Sequence, residues 1–294
     1  MTPELTRLKT LVVSALETHL PTTSDIAQPI VDAMRHAVLG GGKRIRPMLA
    51  CAGCHALGGD PKSALPAGCA VEFIHSYSLV HDDLPAMDND DLRHGLPSAH
   101  VAFGEANAIL AGDSLHSLAF QTIAKSNEHN VATRLAMIDL LAQAAGWAGM
   151  AGGQCLDIAA EGRNLGFDEL KALHAAKTGA LIRVSVQIGA LAAKPTPPSD
   201  DQMALLAEFG DRIGLAFQVM DDVLDVTQTT DRLGKPAGSD EGLEKNTFPR
   251  LMGVEQARAL AYELFDEAQS ILNRSQLDTS LLDQLARLIV DRDH

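Results

Sequence analysis

Basic residues are scarce in this chain of 294 residues, which has 24 Lys and Arg against 38 Asp and Glu. The resulting net charge of −14 argues against a nucleic-acid binder, because such a protein needs a basic face. It also argues against electrostatic docking on an anionic membrane. A phosphate-bearing ligand is still compatible with this charge, since bound divalent cations reverse the local sign of a site.

Long apolar runs are absent as well. No stretch approaches 18 consecutive apolar residues, so no membrane-spanning helix is predicted. The first 20 residues intersperse acidic and basic side chains with one short apolar run, which is unlike a signal peptide. The 4 cysteines are too few for a disulfide scaffold. Together these absences predict a cytoplasmic protein without a membrane span.

Aromatic residues make up only 4% of the chain while 46% is hydrophobic, a balance typical of aliphatic packing between helices. Apolar side chains recur at a spacing of about 3.6 residues, and no strand-like alternation is sustained. The best linker candidate, residues 194–200, is short enough for an ordinary helix connection. The sequence therefore predicts one all-α domain over residues 1–294. The predicted helices are 4–20, 25–39, 46–58, 64–83, 104–126, 132–150, 168–193, 201–226 and 255–291, with breaks in the last.

Two acidic clusters are the most informative feature. Residues 81–88 read HDDLPAMD and residues 218–225 read QVMDDVLD, and each cluster follows apolar, helix-like sequence. Carboxylates about 4 Å apart repel by ~4 kcal/mol at an effective dielectric near 20, so such clusters favour binding of cations. Asp221 and Asp225 are one helical turn apart and point the same way. Mg²⁺ suits these hard oxygen ligands.

The first cluster has a different geometry from the second. Asp82 and Asp88 are six residues apart, which in a regular helix places them about 120° out of line. Pro85 cannot lie undisturbed inside a helix, because it removes a hydrogen bond and clashes with the preceding turn. We therefore expect the helix to end or bulge near Leu84, which would swing Asp88 back toward Asp82.

A basic segment, GGGKRIRP at residues 40–47, superficially suggests a phosphate loop. It fails the Walker pattern, because Arg44 stands where Ser or Thr follows the lysine. The better interpretation is a loop that enters a helix, with Pro47 in the first turn. A helix N-terminus with Lys43 and Arg46 beside it makes an anion site. The alternative is a solvated basic turn.

With these motifs in place, the sequence resembles the trans-isoprenyl diphosphate synthases, the polyprenyl synthetase family, and within it the bacterial short-chain type. The matching stretches are GGGKRIRP at 40–47, EFIHSYSLVHDDLPAMDNDDLRHGLPSAH at 72–100, FGEANAILAGDSL at 103–115, GGQCLD at 152–157, KTGALIR at 177–183, GLAFQVMDDVLD at 214–225 and LGKPAGSD at 233–240. The resemblance implies an isoprenoid-synthase-type bundle of long helices around a central cavity. It also implies that the two aspartate clusters face each other across its mouth, and that the protein is a homodimer.

The implied reaction condenses isopentenyl diphosphate with dimethylallyl or geranyl diphosphate to give farnesyl diphosphate. Three Mg²⁺ are expected to assist ionisation of the allylic diphosphate, and carbon–carbon coupling and proton loss follow. By resemblance, Asp82 and Asp88 hold two metals and Asp221 anchors the third. The supporting carboxylates are Asp83, Asp222 and Asp225. A geranylgeranyl diphosphate synthase is the alternative within the family.

The resemblance also assigns residues to the two substrates. Lys43, Arg46 and His75 are expected on the diphosphate of isopentenyl diphosphate. The residues expected to act on the allylic substrate or its cation are Arg93, Lys177, Thr178, Gln218 and Lys235, with Lys245 nearby.

His94 departs from the family pattern, which has a second arginine after Arg93. An unperturbed histidine is mostly neutral at pH 7, whereas arginine is always charged and bidentate. We therefore hypothesise that isopentenyl diphosphate binds more weakly here, and that its binding strengthens toward lower pH.

Residues before Asp82 are expected to set product length. Ser78 lies one turn deeper on nearly the same helix face, and Tyr77 beside it would be a bulky floor for the growing chain. In the resembling family an aromatic residue at this place goes with a C15 product. The alternative is that Tyr77 is an ordinary core aromatic.

Four rival interpretations fit less well. His81-Asp82 resembles the start of an HD-type phosphohydrolase, but that class does not need the second aspartate cluster. A terpene cyclase normally lacks the second basic site, and a silent partner subunit would have lost an aspartate motif. The sequence CAGCH at residues 51–55 matches a haem attachment signal, but it falls in an apolar helical run without an export signal.

Overall fold

The computed structural model describes residues 1–193, 197–227 and 246–291, and within these ranges it is almost entirely helical. The all-α prediction is thus confirmed. The helices are α1 Pro3–His19, α2 Gln28–Leu39, α3 Ile45–Ala56, α4 Leu65–Asp82, α5 Ala99–Phe103, α6 Glu105–Ala124, α7 Val131–Ala145, α8 Met150–Ala159, α9 Phe167–His174, α10 Ala180–Ala192, α11 Asp200–Thr227, α12 Phe248–Met252, α13 Val254–Asn273 and α14 Ser280–Val290. A 3₁₀ turn, Pro61–Ala64, precedes α4, and a π turn, Ala175–Gly179, joins α9 to α10.

The predicted helices differ from the observed ones mainly at their ends. The predicted segment 132–150 stops at Ala145, and α8 follows as a separate helix that periodicity did not distinguish. The breaks expected in segment 255–291 are confirmed by its division into α13 and α14, whereas the predicted segment 168–193 is interrupted by the π turn between α9 and α10. The short helices α5 and α12 were not predicted. Nor was an antiparallel hairpin of β1 Leu92–Arg93 and β2 Leu96–Pro97.

Local sequence explains how the bundle begins. The side chain of Thr2 caps α1 by accepting a hydrogen bond from the backbone N–H of Leu5, and Pro3 occupies the first turn, where no N–H is needed. Apolar residues then return at helical spacing, so that one stripe of α1 is buried. The buried residues of that stripe are Leu5, Leu8, Val12 and Leu16.

One large cluster of buried apolar side chains draws on nearly all the long helices. Helix α3 lies against α10 so closely that a Cβ at Gly53 would come within 2.4 Å of the Val186 carbonyl oxygen. Cys51 and Cys54 are buried in α3 as free thiols, which confirms their interpretation as small core residues. Among the described residues, no helix is both long and apolar enough to cross a membrane.

Candidate active site

A cavity of about 230 Å³ lies where the end of α4, helix α8 and the π turn meet. It collects charged and polar side chains from segments that are far apart in sequence. Of the predicted site residues that the structure describes, seven line it, namely Arg46, His75, Tyr77, Ser78, Asp82, Lys177 and Thr178. The structure thus brings a carboxylate, two cations and the proposed chain-length residues into one space.

The first aspartate cluster has the predicted break. Helix α4 ends at Asp82, and the chain turns through Pro85. The backbone N–H of Asp88 returns to donate to the Asp82 carbonyl oxygen over 2.8 Å. Burial raises the pKa of Asp82 to about 6, opposed by Lys177 and reinforced by Asp88. A bound cation would stabilise the ionised carboxylate of Asp82, which burial destabilises.

Asp83, next in the cluster, is engaged by the protein itself. It is buried, and its carboxylate accepts hydrogen bonds from Arg93, which also pairs with Asp90 over 3.5 Å. Burial raises the pKa of Asp83, and the Arg93 guanidinium opposes that rise. In this structure, therefore, Asp83 anchors Arg93 beside the cluster.

Lys177 and Thr178 lie in the π turn, a distortion that often marks functional positions. Helix α8 packs closely against this turn, since a Cβ at Gly153 would lie only 2.2 Å from the backbone nitrogen of Lys177. The Lys177 ammonium pairs with Asp157 of α8 over 2.5 Å. Helix α8 therefore supports Lys177 through both its backbone and its side chain.

A chain of hydrogen bonds connects this turn to the second aspartate cluster. Thr178 Oγ1 donates to Gln218 Oε1 over 2.9 Å, and Gln218 Nε2 donates to Asp222 Oδ1 over 2.9 Å. The other oxygen of Asp222, Oδ2, accepts from the backbone N–H of Phe248 over 3.0 Å. Asp222 is therefore held by the protein, as Asp83 is in the first cluster.

Asp221 and Asp225 lie in one regular helix, α11, so their predicted alignment one turn apart is confirmed. Asp221 is half-buried and Asp225 is buried. Among the described residues, no three metal-binding side chains are close enough to hold an ion by themselves. Carboxylate oxygens such as those of Asp221 and Asp225 fit Mg²⁺, which commonly takes one or two carboxylates together with substrate phosphate oxygens.

The basic loop enters α3 as predicted. Arg44 has a left-handed backbone with φ of 58°, and α3 begins at Ile45, so Lys43 and Arg46 flank the helix N-terminus. The turn between β1 and β2 places His94 against this loop, since a Cβ at Gly41 would be 3.3 Å from the His94 Cβ.

Both histidines beside this loop favour the neutral form. Desolvation lowers the pKa of His94, and the charges of Arg93 and Arg44 lower it further. Desolvation also lowers the pKa of His75, with Arg46 as the next largest cause. Before an anion binds, both side chains are therefore mainly neutral.

Two predicted residues, Lys235 and Lys245, lie outside the described residues. Conversely, the cavity is also lined by Met87, Gln154 and Leu181, which had no predicted role. Gln154 Oε1 is buried and has no hydrogen-bond partner among the described parts of the chain. Gln154 belongs to the GGQCLD motif, as does Asp157, so that motif was the available signal for both.

An all-α bundle that joins carboxylates, a supported lysine and a basic helix N-terminus around one cavity defines a class of enzymes acting on diphosphate esters. The polyprenyl synthetase model matches residues 27–286. The chain belongs to the polyprenyl synthetase family.

Relatives and solved structures agree with this assignment. The chain is 48% identical to a farnesyl diphosphate synthase of Escherichia coli, over 90% of each protein. It is 44% identical to the large subunit 1 of a chloroplastic heterodimeric geranylgeranyl pyrophosphate synthase of Arabidopsis thaliana, covering 89% of this chain and 71% of the relative. A geranyltransferase from Helicobacter pylori, complexed with magnesium and isoprenyl diphosphate, superposes with a TM-score of 0.87 at 31% identity. That match covers 99% of this chain and 97% of the other.

Proposed function

We propose that this protein is a short-chain trans-prenyltransferase that condenses isopentenyl diphosphate with dimethylallyl or geranyl diphosphate to give farnesyl diphosphate. The observation that carries the proposal is the single cavity shared by Asp82, Lys177 and Arg46. Asp82 together with Lys177 suits a metal-bound diphosphate, and Arg46 suits a second diphosphate.

The residues have distinct proposed roles. Lys177 binds the allylic diphosphate as a point charge held by Asp157. Arg93, fixed by Asp83, lies beside the same diphosphate. Thr178 and Gln218 present oxygen atoms toward the allylic cation, which stabilises developing positive charge.

Isopentenyl diphosphate is proposed to bind at the N-terminus of α3. There Lys43 and Arg46 supply positive charge, His75 and His94 supply hydrogen-bonding groups, and the helix dipole favours an anion. The allylic substrate at Lys177 and isopentenyl diphosphate at Arg46 would then share one cavity, in which their reacting carbons can meet.

Magnesium is proposed at Asp82, Asp88, Asp221 and the nearby Asp225, with three ions in all. Bound there, Mg²⁺ would stabilise the charge that develops on the departing diphosphate. The raised pKa of Asp82 and the oxygen-only donor set support this placement. So does the name of the Helicobacter pylori structure, which specifies magnesium and isoprenyl diphosphate.

A C15 product is favoured because Tyr77 lines the cavity and the Escherichia coli relative is a farnesyl diphosphate synthase. The geranylgeranyl alternative draws support from the plant relative. Incubation with Mg²⁺, isopentenyl diphosphate and dimethylallyl diphosphate, followed by chromatography of the products, decides between them. C15 diphosphate supports the proposal, and mainly C20 supports the alternative. Free phosphate without chain growth indicates a hydrolase, and no turnover a silent subunit.

A matched pair of variants connects this assay to the site. Asp82→Ala is expected to abolish the Mg²⁺-dependent reaction, whereas Asp201→Ala, at the exposed start of α11, is expected to leave it unchanged.

We further propose that residues 1–294 form one domain and that the protein is a cytoplasmic homodimer. The large shared core supports the first point. Exposed apolar side chains on α5, α6 and α7 support a dimer, because such patches mark interaction surfaces. They include Val101, Ile109, Leu110 and Leu135. Light scattering of wild type and Leu110→Glu tests the dimer, which the charged variant should weaken.

A further inference from the structure

Arg44 is a buried cation that belongs to the basic loop but does not line the cavity. Its Nη1 donates to Glu72 Oε1 over 2.7 Å, and its Nη2 donates to the Val38 carbonyl oxygen. Arg44 is 8% exposed and Glu72 only 3%. The guanidinium therefore joins the loop to two helices, since Val38 lies in the last turn of α2 and Glu72 in α4.

These contacts occur where the backbone is strained. Arg44 holds a left-handed φ of 58°, which is uncommon for a residue with a side chain and persists only where the surroundings impose it. A Cβ at Gly42 would lie 3.3 Å from Arg44 Nη1, so the guanidinium lies beneath the loop. Lys43 immediately precedes this residue and Arg46 follows two positions later. The direction of both side chains depends on the conformation that the Arg44 contacts impose.

The Arg44–Glu72 pair also affects the balance of charge beneath the basic loop. Lys43, Arg44, Arg93 and His94 form a concentration of positive or protonatable groups. Glu72 of α4 pairs with Arg44, as Asp83 at the end of α4 pairs with Arg93. Desolvation lowers the pKa of His94, the three cations lower it further, and Glu72 opposes them. Glu72 therefore neutralises the one cation of this group that is buried beneath the loop. A buried ion pair is weak evidence for stability, because desolvation offsets the attraction, but such pairs can specify one conformation.

We propose that the Arg44–Glu72 pair is a positioning device for isopentenyl diphosphate. The pair holds Lys43 and Arg46 in the geometry that binds this diphosphate, while Arg44 itself makes no contact with the substrate. This inference rests on the proposed function, and it assigns Arg44 and Glu72 as positioning residues.

The test compares the Michaelis constants of Glu72→Gln for the two substrates. This substitution keeps the shape of the side chain and removes its charge. The KM for isopentenyl diphosphate is expected to rise about tenfold or more, equivalent to ~1.4 kcal/mol, while the KM for geranyl diphosphate stays within about twofold. Titration calorimetry with isopentenyl diphosphate alone should show the same loss. The control is Glu267→Gln, which breaks the Arg212–Glu267 pair of 2.5 Å away from the cavity and should change neither constant.

A second variant covers the case in which Glu72→Gln does not fold. Arg44→Met/Glu72→Met removes both charges and leaves neither unpaired, so the variant is expected to fold, with a melting temperature lowered only by loss of the Arg44 hydrogen bond to the Val38 carbonyl oxygen, and to bind isopentenyl diphosphate more weakly. A folded variant with wild-type affinity for isopentenyl diphosphate overturns the inference, as does an equal rise in both Michaelis constants. If wild type itself does not elongate the allylic substrate, the proposed function fails. Calorimetry of wild type and variant with isopentenyl diphosphate still decides the positioning role.

Discussion

The Nε2 amide of Gln218 donates a 2.9 Å hydrogen bond to Oδ1 of Asp222. Because a carboxylate only accepts hydrogen bonds, this contact fixes which way the amide points. Oε1 of Gln218 is therefore turned toward Thr178, which lines the cavity. The negative end of the amide dipole is thus on the side where an allylic cation would form.

Asp222→Asn should reverse that dipole. The Phe248 backbone N–H, which donates to Asp222 Oδ2 over 3.0 Å, would retain the oxygen of the new amide, so the NH₂ group would face Gln218. Gln218 would then rotate and turn its own NH₂ toward Thr178. We expect kcat to fall by about 10²-fold with little change in either KM, because only the cationic state is affected.

The control for this variant is the double substitution Asp222→Asn/Gln218→Glu. A carboxylate at position 218 accepts from both neighbours, so oxygen again faces Thr178. Its kcat should exceed that of Asp222→Asn measured in the same assay. Wild-type kcat in the single variant would contradict the orientation argument.

His94 should make isopentenyl diphosphate binding depend on pH. Desolvation and the charges of Arg93 and Arg44 lower the pKa of His94, Lys43 adds to this, and Glu72 opposes it. A bound diphosphate favours the protonated ring, so binding takes up a proton and strengthens as pH falls. Because the unbound pKa is below its usual value of about 6.5, the KM for isopentenyl diphosphate should decrease from pH 8 to 6 without reaching a plateau.

His94→Arg provides the comparison, since arginine keeps its charge throughout that range. It should lower the KM at pH 8 and leave only the pH dependence of the diphosphate itself. Identical Michaelis constants for the two proteins between pH 6 and 8 would refute a role for His94.

The support of the π turn can be tested with two glycines. A Cβ at Gly153 would lie 2.2 Å from the Lys177 nitrogen, whereas the nearest contact of a Cβ at Gly179, among the described residues, would be the His174 oxygen at 3.6 Å. Gly153→Ala should therefore lower the unfolding free energy by about 1–3 kcal/mol and reduce kcat, because the backbone of Lys177 must shift. Gly179→Ala should keep both the denaturant midpoint and kcat. Equal behaviour of the two variants would contradict the proposed contact.

Sequence reasoning succeeded where the cause is local. Pro85 breaks a helix through its own ring, and helical spacing alone aligns Asp221 with Asp225, so both features were predictable. The pairing of Arg44 with Glu72 was not, because it joins residues 28 positions apart that only the packed bundle brings together.

Two further features depended on tertiary structure or on a turn that was not recognised. The π turn accompanies the contact of α8 with Lys177, and nothing in the local sequence specifies it. The β1–β2 hairpin depends on His94 and Gly95, whose φ values of 54° and 80° are typical of a type I′ turn. A His-Gly pair is a weaker signal for that turn than Asn-Gly, and it was missed.

Tyr77 should limit the product to 15 carbons. Its ring lines the cavity and is packed edge-to-face against His116 at 5.1 Å and His81 at 5.7 Å, so it is held as a fixed wall. Tyr77→Ala removes that wall without touching Asp82 or the diphosphate sites, so chain growth should continue and C20 diphosphate should increase at the expense of C15. Chromatography of the products measures the ratio of C20 to C15 diphosphate.

The matched control is Tyr262→Ala, which truncates the chain's other tyrosine, exposed on α13, and should keep the wild-type distribution. Because the allylic and isopentenyl sites stay intact, a longer product at near-normal turnover distinguishes a chain-length role from simple damage. An unchanged C15 product would instead make Tyr77 an ordinary core aromatic.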